Sequence, residues 1–132
     1  MNFSRFLPVV ALLLWSMHTL AASEEEIRFN KGQTTGTVRG EVTSTIKTWQ
    51  FRAQKGQRIT ITLAPAGGDK DTLTMTLYAY CGEEFGKPLV SESLQWEGQL
   101  PCTDRYTIDV APSADAMKPT RVQRYALTVT II

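Results

Sequence analysis

Thr48–Ile61 reads TWQFRAQKGQRITI, and this stretch decides the fold of the chain. Apolar side chains alternate with polar ones on both sides of its centre: Trp49 and Phe51, then Ile59 and Ile61. A period of two places alternate side chains on one face of a β-strand. The central Lys55-Gly56-Gln57 has the composition of a turn, so the stretch predicts two strands joined as a hairpin.

The same alternation recurs along the rest of the chain. Three longer segments show it: Thr72–Tyr80, Asp104–Ala111 and Val122–Ile131. Three shorter candidates are Ile27–Asn30, Thr37–Val42 and Leu89–Trp96. Turn residues separate the segments at short intervals, and helical spacing of apolar residues is missing. The sequence therefore predicts an all-β fold, a single antiparallel, jelly-roll-like β-sandwich of about seven to nine strands.

The N-terminus has the pattern of a secretory leader. Arg5 precedes the apolar run Phe6–Leu14, and small residues follow at Ala21–Ser23. This pattern predicts a signal peptide over residues 1–22, a β-sandwich domain over residues 23–132, and export to the periplasm. A retained membrane anchor is the alternative, which is disfavoured because the apolar run is short and interrupted by a proline.

Charge and histidine content exclude several classes of function. The chain has 14 Lys and Arg against 13 Asp and Glu, and Arg5 leaves with the leader. A balanced chain without basic runs gives no indication of nucleic-acid binding. The single histidine, His18, also lies in the leader, so the exported chain has no imidazole for nucleophile systems or the usual zinc sites. We predict no enzymatic activity, no cofactor and no metal.

Both cysteines, Cys81 and Cys102, follow the leader. An even number of cysteines in an exported chain predicts a disulfide, because that compartment is oxidising. Closing this loop would stabilise the fold by roughly 3 kcal/mol in the chain-entropy model. A zinc site is the weaker alternative, since two thiolates without histidine make a poor ligand set.

Two acidic turns are candidates for other chemistry. Asp69 with Asp71, or Glu83 with Glu84, could supply a pair of catalytic carboxylates, and Gly68–Asp71 resembles the start of a calcium loop. Neighbouring carboxylates in a turn project into solvent instead of facing each other across a cleft. The calcium-loop pattern also breaks off as the chain enters a predicted strand. Solvated turns are the preferred interpretation.

Three aromatic residues, Tyr78, Tyr80 and Trp96, are candidates for binding a partner. The two tyrosines fall on the opposite parity to the apolar residues of their strand, which predicts that they lie on its outer face. Exposed aromatic rings can stack on sugars or anchor a protein partner. They can equally stabilise a sheet as cross-strand pairs.

A basic segment before the last strand is the second candidate. Lys118, Arg121 and Arg124 surround Pro119 within the irregular stretch Ala111–Arg124. A projecting basic loop on a rigid scaffold suits an acidic cleft or an anionic polymer. An ordinary solvated loop is the other interpretation.

Several of these segments together resemble a known superfamily. They are Gly40-Glu41-Val42, Thr48–Ile61, Leu77-Tyr78, Tyr106-Thr107-Ile108 and Tyr125-Ala126-Leu127. The order resembles that of bacterial pre-peptidase C-terminal domains. Within them, Phe29–Gly32 and Asp115-Ala116 resemble the periplasmic inhibitors of g-type lysozyme. The resemblance implies an exported β-sandwich that inhibits a lysozyme without chemistry of its own.

The chain departs from that family where its inhibitory residues should be. The resemblance implies a tyrosine after the Gly-Glu strand and two arginines around Asp-Ala, but Thr45, Ser113 and Met117 stand there. None of these has the charge or the reach to enter a carboxylate-bearing cleft. Lys118, Arg121 and Arg124 are candidates to replace them from nearby.

We therefore predict a non-enzymatic envelope protein, related to lysozyme inhibitors, whose partner is a lysozyme or a cell-wall glycan. The alternative is a carbohydrate-binding or structural periplasmic module without inhibitory activity. The chain could be a monomer, or a homodimer formed through exposed edge strands.

Overall fold

A computed structural model describes residues 24–29, 34–43, 45–66, 73–113 and 122–132. The predicted signal peptide lies outside these ranges and stays a prediction. The described residues form nine strands: β1 (Glu24–Glu26), β2 (Thr35–Val42), β3 (Lys47–Ala53), β4 (Arg58–Pro65), β5 (Leu73–Ala79), β6 (Lys87–Ser93), β7 (Gln95–Gln99), β8 (Asp104–Pro112) and β9 (Gln123–Ile131). None of the described residues belongs to a helix that could cross a membrane.

The nine strands form two sheets, which confirms the predicted all-β sandwich. One sheet has the order β1-β3-β8-β5-β6 and the other the order β2-β9-β4-β7. Without β1, these are two four-stranded sheets connected as in a jelly roll. Neighbouring strands are antiparallel except at one edge, where β1 pairs in parallel with β3.

The turn in the stretch that decides the fold does not form the predicted hairpin. β3 belongs to the five-stranded sheet and β4 to the four-stranded sheet, so the turn carries the chain from one sheet to the other. The N–H of Gln57 donates to the Gln54 carbonyl at 3.2 Å, and Gly56 has a φ of 87°. These are features of a type II turn, which does not specify whether the flanking strands pair. The hairpin prediction is wrong for that reason.

Two of the shorter predicted strands also differ from the structure. Leu89–Trp96 is divided between β6 and β7, because the chain changes sheets at Leu94, whose carbonyl accepts a hydrogen bond from the N–H of Leu63 at 2.8 Å. At the N-terminal edge the strand is Glu24–Glu26, immediately before the predicted Ile27–Asn30. Ile27 itself is buried and its N–H donates to the Gln50 carbonyl at 2.8 Å.

The core lies between the sheets and is built from the inward-facing apolar residues of the long strands. Every second residue of β5 is buried, and so are the alternating residues Tyr106, Ile108 and Val110 of β8, as the alternation predicts. Phe51 and Tyr106 stack face to face with their ring centroids 5.5 Å apart. The hydroxyl of Tyr106 donates to the Cys102 carbonyl at 2.5 Å and accepts from the Cys102 N–H at 3.2 Å. This tyrosine corner fixes the entry into β8.

The disulfide between Cys81 and Cys102 is present, as predicted, with the two Cα atoms 5.5 Å apart. It joins the end of β5 to the segment that leads into β8. Because β5 and β8 are already neighbours in one sheet, the bond closes the end of the sandwich at which the Gln54–Gln57 turn also lies. We call this the disulfide end.

Candidate functional site

Two connections converge at the opposite end of the sandwich. Val42, the last residue of β2, pairs with Gln123 in β9, and Lys47, the first residue of β3, pairs with Val110 in β8. The β2–β3 connection, residues 43–46, and the β8–β9 connection, residues 113–122, therefore leave from the same end. We call these two connections the loop end.

The loop end displays apolar surface that the sequence analysis did not single out. The side chains of Ile46 and Val122 are 55% and 50% exposed, although both are large and apolar. Ile46 precedes the alternating residues of β3, and Val122 begins the predicted segment Val122–Ile131 but has the opposite parity to its apolar residues, so the pattern marked neither of them. Exposed apolar side chains on two converging connections are typical of a protein-binding surface.

The residues at the expected inhibitory positions, and the basic residues that are candidates to replace them, are only partly described at this end. Thr45 is exposed in the β2–β3 connection, and Ser113 is half-buried at the start of the β8–β9 connection. Met117, Lys118 and Arg121 lie outside the described residues, so the prediction for them is untested.

Arg124 lies on the outer face of the four-stranded sheet, just beyond the loop end. Its Nε donates to Oε1 of Glu41 at 3.0 Å, and both side chains are mostly exposed. An exposed pair of this kind contributes little to stability. The guanidinium is thus held beside the loop end without being buried.

A network of side chains lies beneath the loop end and fixes its base. Nε1 of Trp49 donates to the hydroxyl of Tyr125 at 2.8 Å. Burial raises the pKa of Tyr125, although this bond from Trp49 lowers it, so the hydroxyl keeps its proton at neutral pH. Lys47 lies 5.0 Å from the centroid of a Trp49 ring and donates to Glu25 at 2.8 Å.

The ring of Tyr125 crosses over Gly40, which belongs to the Gly-Glu-Val segment of the family resemblance. Gly40 pairs with Tyr125 across the sheet, and a Cβ at position 40 would lie 2.7 Å from Cζ of the tyrosine. Only glycine leaves room for the ring. The glycine therefore maintains the Trp49–Tyr125 bond and, through it, the base of the loop end.

The aromatic candidates do not form one platform. Tyr78 lies on the outer face of the five-stranded sheet, as its parity predicts, and half-buried Tyr80 follows directly after β5. Trp96 pairs with buried Ile61, which places it on the inner face of the four-stranded sheet, where it packs partly against the core. Because β7 belongs to the other sheet, Trp96 does not share a surface with the two tyrosines, and binding by each candidate stays a prediction.

The acidic candidates show no arrangement for catalysis or metal binding in the part of the chain that the structure describes. Glu83 is exposed and pairs with Lys87 at 3.4 Å. Among the residues described, no three His, Cys, Asp or Glu side chains are grouped so that they could hold a metal ion. Gly68–Asp71 lies outside the described ranges.

Comparison with solved structures identifies proteins with the same fold. PliG of Aeromonas hydrophila, a periplasmic lysozyme inhibitor of g-type lysozyme, superposes with a TM-score of 0.67 at 21% identity, covering 84% of this chain and 97% of that protein. PliG of Salmonella Typhimurium gives 0.65 at 20% identity, covering 85% and 100%. The pre-peptidase C-terminal domain of Bacillus anthracis collagenase gives 0.56 at 13% identity, covering 86% and 100%.

These matches confirm the fold that the sequence resemblance implied, in both the inhibitors and the wider superfamily. At identities near one fifth they show the fold alone. No protein-family model matches the chain. No curated protein matches it by sequence either.

Proposed function

We propose that this protein is a non-enzymatic periplasmic inhibitor of a lysozyme, and that the loop end enters the enzyme's substrate cleft. The convergence of the β2–β3 and β8–β9 connections at one end of the sandwich is the observation on which this rests. The similarity of the fold to two periplasmic inhibitors of g-type lysozyme supports it. Inhibition of this kind needs no catalytic group, cofactor or metal.

The chemistry proposed for the contact combines apolar and basic side chains. Ile46 and Val122 would be desolvated against the walls of the cleft, because both are half-exposed in the free protein. Lys118 and Arg121 would pair with the carboxylates that a lysozyme cleft uses for hydrolysis. The contribution of such a desolvated charge pair to the binding free energy ranges from almost nothing to strongly favourable. We therefore expect the apolar contacts to contribute to binding more consistently.

The departures at Thr45, Ser113 and Met117 change the contacts that the loop end would make with an enzyme, and so they bear on which type of lysozyme is inhibited. A small hydroxyl at position 45 leaves room in a cleft where the resemblance implies a tyrosine. The apolar contact from the neighbouring Ile46 would then replace the aromatic contact. We expect the strongest inhibition for a g-type lysozyme, with c-type and i-type enzymes as comparators.

Inhibition of cell-wall lysis by the purified protein tests the proposal. Ile46→Ser and Val122→Ser should each weaken inhibition by about tenfold, corresponding to roughly 1.4 kcal/mol at an interface. Phe85→Ser is the matched control, because Phe85 is also exposed and apolar but lies in the β5–β6 connection at the disulfide end. Absence of inhibition of all three lysozyme types at micromolar concentrations contradicts the proposal. If Phe85→Ser weakened inhibition as much as the other two substitutions, the proposed location of the contact at the loop end would be contradicted.

A further inference from the structure

A groove lies on the outer face of the five-stranded sheet and extends from the disulfide end towards the loop end, as far as the cross-strand pair of Thr48 and Asp109. Its volume is about 400 Å³. Residues from β1, β3, β5 and β8 line it together with part of the β5–β6 connection. A volume of this size is within the range of small-ligand sites.

The floor of the groove is polar and ordered. The hydroxyl of Thr48 donates to Oδ1 of Asp109 at 2.7 Å, which orients the carboxylate. Oδ2 of Asp109 has no hydrogen-bond partner among the described residues and remains an acceptor. Thr107 is almost completely buried between these strands, 3.5 Å from the hydroxyl of Tyr80.

One wall consists of aromatic rings held by the β5–β6 connection. Gly86 packs against both tyrosines, and a Cβ there would lie 2.9 Å from Cβ of Tyr78 and 3.1 Å from Cζ of Tyr80. The guanidinium of Arg105 lies 4.3 Å from the centroid of the Tyr80 ring. Tyr80 is thus covered, and Phe85, which is 77% exposed, is the ring that remains available at the rim.

The connection that presents Phe85 is fixed at its base. The Cys81–Cys102 disulfide anchors it to the segment before β8, and the N–H of Gly82 donates to Oδ2 of Asp104 at 2.6 Å. The N–H of Glu83 donates to the Tyr80 carbonyl at 2.9 Å, closing a tight turn. These contacts fix the backbone that leads to Phe85, and a backbone that is ordered before binding loses less conformational entropy when a ligand arrives.

The groove offers both donors and acceptors, which identifies the class of ligand. Arg105 forms no ion pair among the described residues, so its N–H groups can donate. Glu24, Glu84 and Asp109 can accept. The three carboxylates would repel an anion such as phosphate, and Arg105 would repel a simple cation. A ligand whose groups both donate and accept, and which also has an apolar face for a ring, satisfies every side chain.

We propose that this groove binds a neutral oligosaccharide, independently of the lysozyme contact at the loop end. Phe85 stacks on the C–H face of one pyranose ring. Arg105 donates to sugar oxygens, and Asp109 accepts from a sugar hydroxyl. The protein thus has two separate binding surfaces, one for a protein and one for a glycan.

Chemical-shift mapping of the isotopically labelled protein tests this inference. The neutral probes are cellotetraose, maltotetraose and tetra-N-acetylchitotetraose, each added to about 10 mM because single saccharide sites are weak. Trigalacturonate and tetralysine represent the anionic and cationic classes. We expect at least one neutral probe to shift residues 78–86 and 105–109, and neither charged probe to bind as tightly.

Variants at the rim separate binding from folding. Phe85→Ala should weaken binding roughly threefold to tenfold, and Phe85→Tyr should retain it, because the tyrosine keeps a stacking ring. Ile132→Ala is the matched control and should leave binding unchanged, because Ile132 is also exposed and apolar but follows β9 in the other sheet. The proposal is overturned if no neutral probe shifts these residues, if the shifts lie elsewhere, or if trigalacturonate or tetralysine binds more tightly than the neutral probes. Full binding by Phe85→Ala overturns the role of the ring.

Discussion

Replacing Gly40 with alanine should destabilise the protein more than most substitutions on the face of a sheet. A Cβ at this position would lie 2.7 Å from Cζ of Tyr125, nearer than non-bonded atoms approach. Tyr125 is only 3% exposed and pairs with Gly40 across the sheet, so its ring is packed inside the sandwich directly beside the added methyl group. The ring must move, and its 2.8 Å bond from Trp49 must lengthen or break.

Three contributions set the expected change in the free energy of unfolding. Two of them destabilise the folded protein and one stabilises it. Overpacking a buried site costs about 1–3 kcal/mol, and loss of one buried hydrogen bond costs about 1 kcal/mol. Alanine in place of glycine within a strand returns about 0.5–1 kcal/mol, because glycine loses more backbone entropy on folding. We therefore expect Gly40→Ala to lower the free energy of unfolding by about 1–3.5 kcal/mol.

Urea unfolding followed by tryptophan fluorescence measures this loss, since Trp49 belongs to the affected network. The control is the same substitution in a Tyr125→Leu background, where the ring and its hydroxyl are gone. There Gly40→Ala should be neutral or slightly stabilising. A Gly40→Ala protein as stable as the original would refute the close packing of Tyr125. An equal cost in both backgrounds would place the cause elsewhere.

Two further predictions concern the disulfide end. Cys81→Ser with Cys102→Ser should lower the free energy of unfolding by about 3 kcal/mol while leaving the circular dichroism of the sheets unchanged; an unaltered urea midpoint would contradict this. Hydrogen bonds from the N–H groups of Arg105 and Gly82 hold the pKa of Asp104 below its usual value of 3.8. The stabilisation from the carboxylate is therefore complete above that value and is lost as the pH falls through the lowered pKa. The stability difference between the original protein and Asp104→Asn should shrink over that acidic range, and a difference independent of pH would contradict the assignment.

Local patterns predicted strands well and their partners poorly. The bounds of the long strands follow the alternation of apolar residues to within a residue or two, because burial of one face imposes the period directly. The turn at Lys55-Gly56-Gln57 was misassigned, because the same turn can join strands of one sheet or of two. No sequence pattern marks the point at which the chain changes sheets at Leu94, since this point depends on packing against β4.

The same distinction applies to the candidate sites. Parity within one strand was sufficient to place Tyr78 on the outer face. Trp96 needed knowledge of its partner, Ile61, which only the topology supplies. Ile46, Val122 and Phe85 lie in connections, where neither alternation nor turn chemistry marks an exposed apolar side chain. Such residues become visible as candidates only when their exposure is known.

Hydrogen exchange of the protein mixed with a g-type lysozyme tests the central claim most directly. If the loop end docks into the enzyme, amides in the 43–46 and 113–122 connections should gain protection on mixing. Amides of the Gln54–Gln57 turn and the β5–β6 connection, at the other end of the sandwich, should exchange as before. Protection confined to the disulfide end, or no protection at micromolar concentrations of both proteins, would contradict the account.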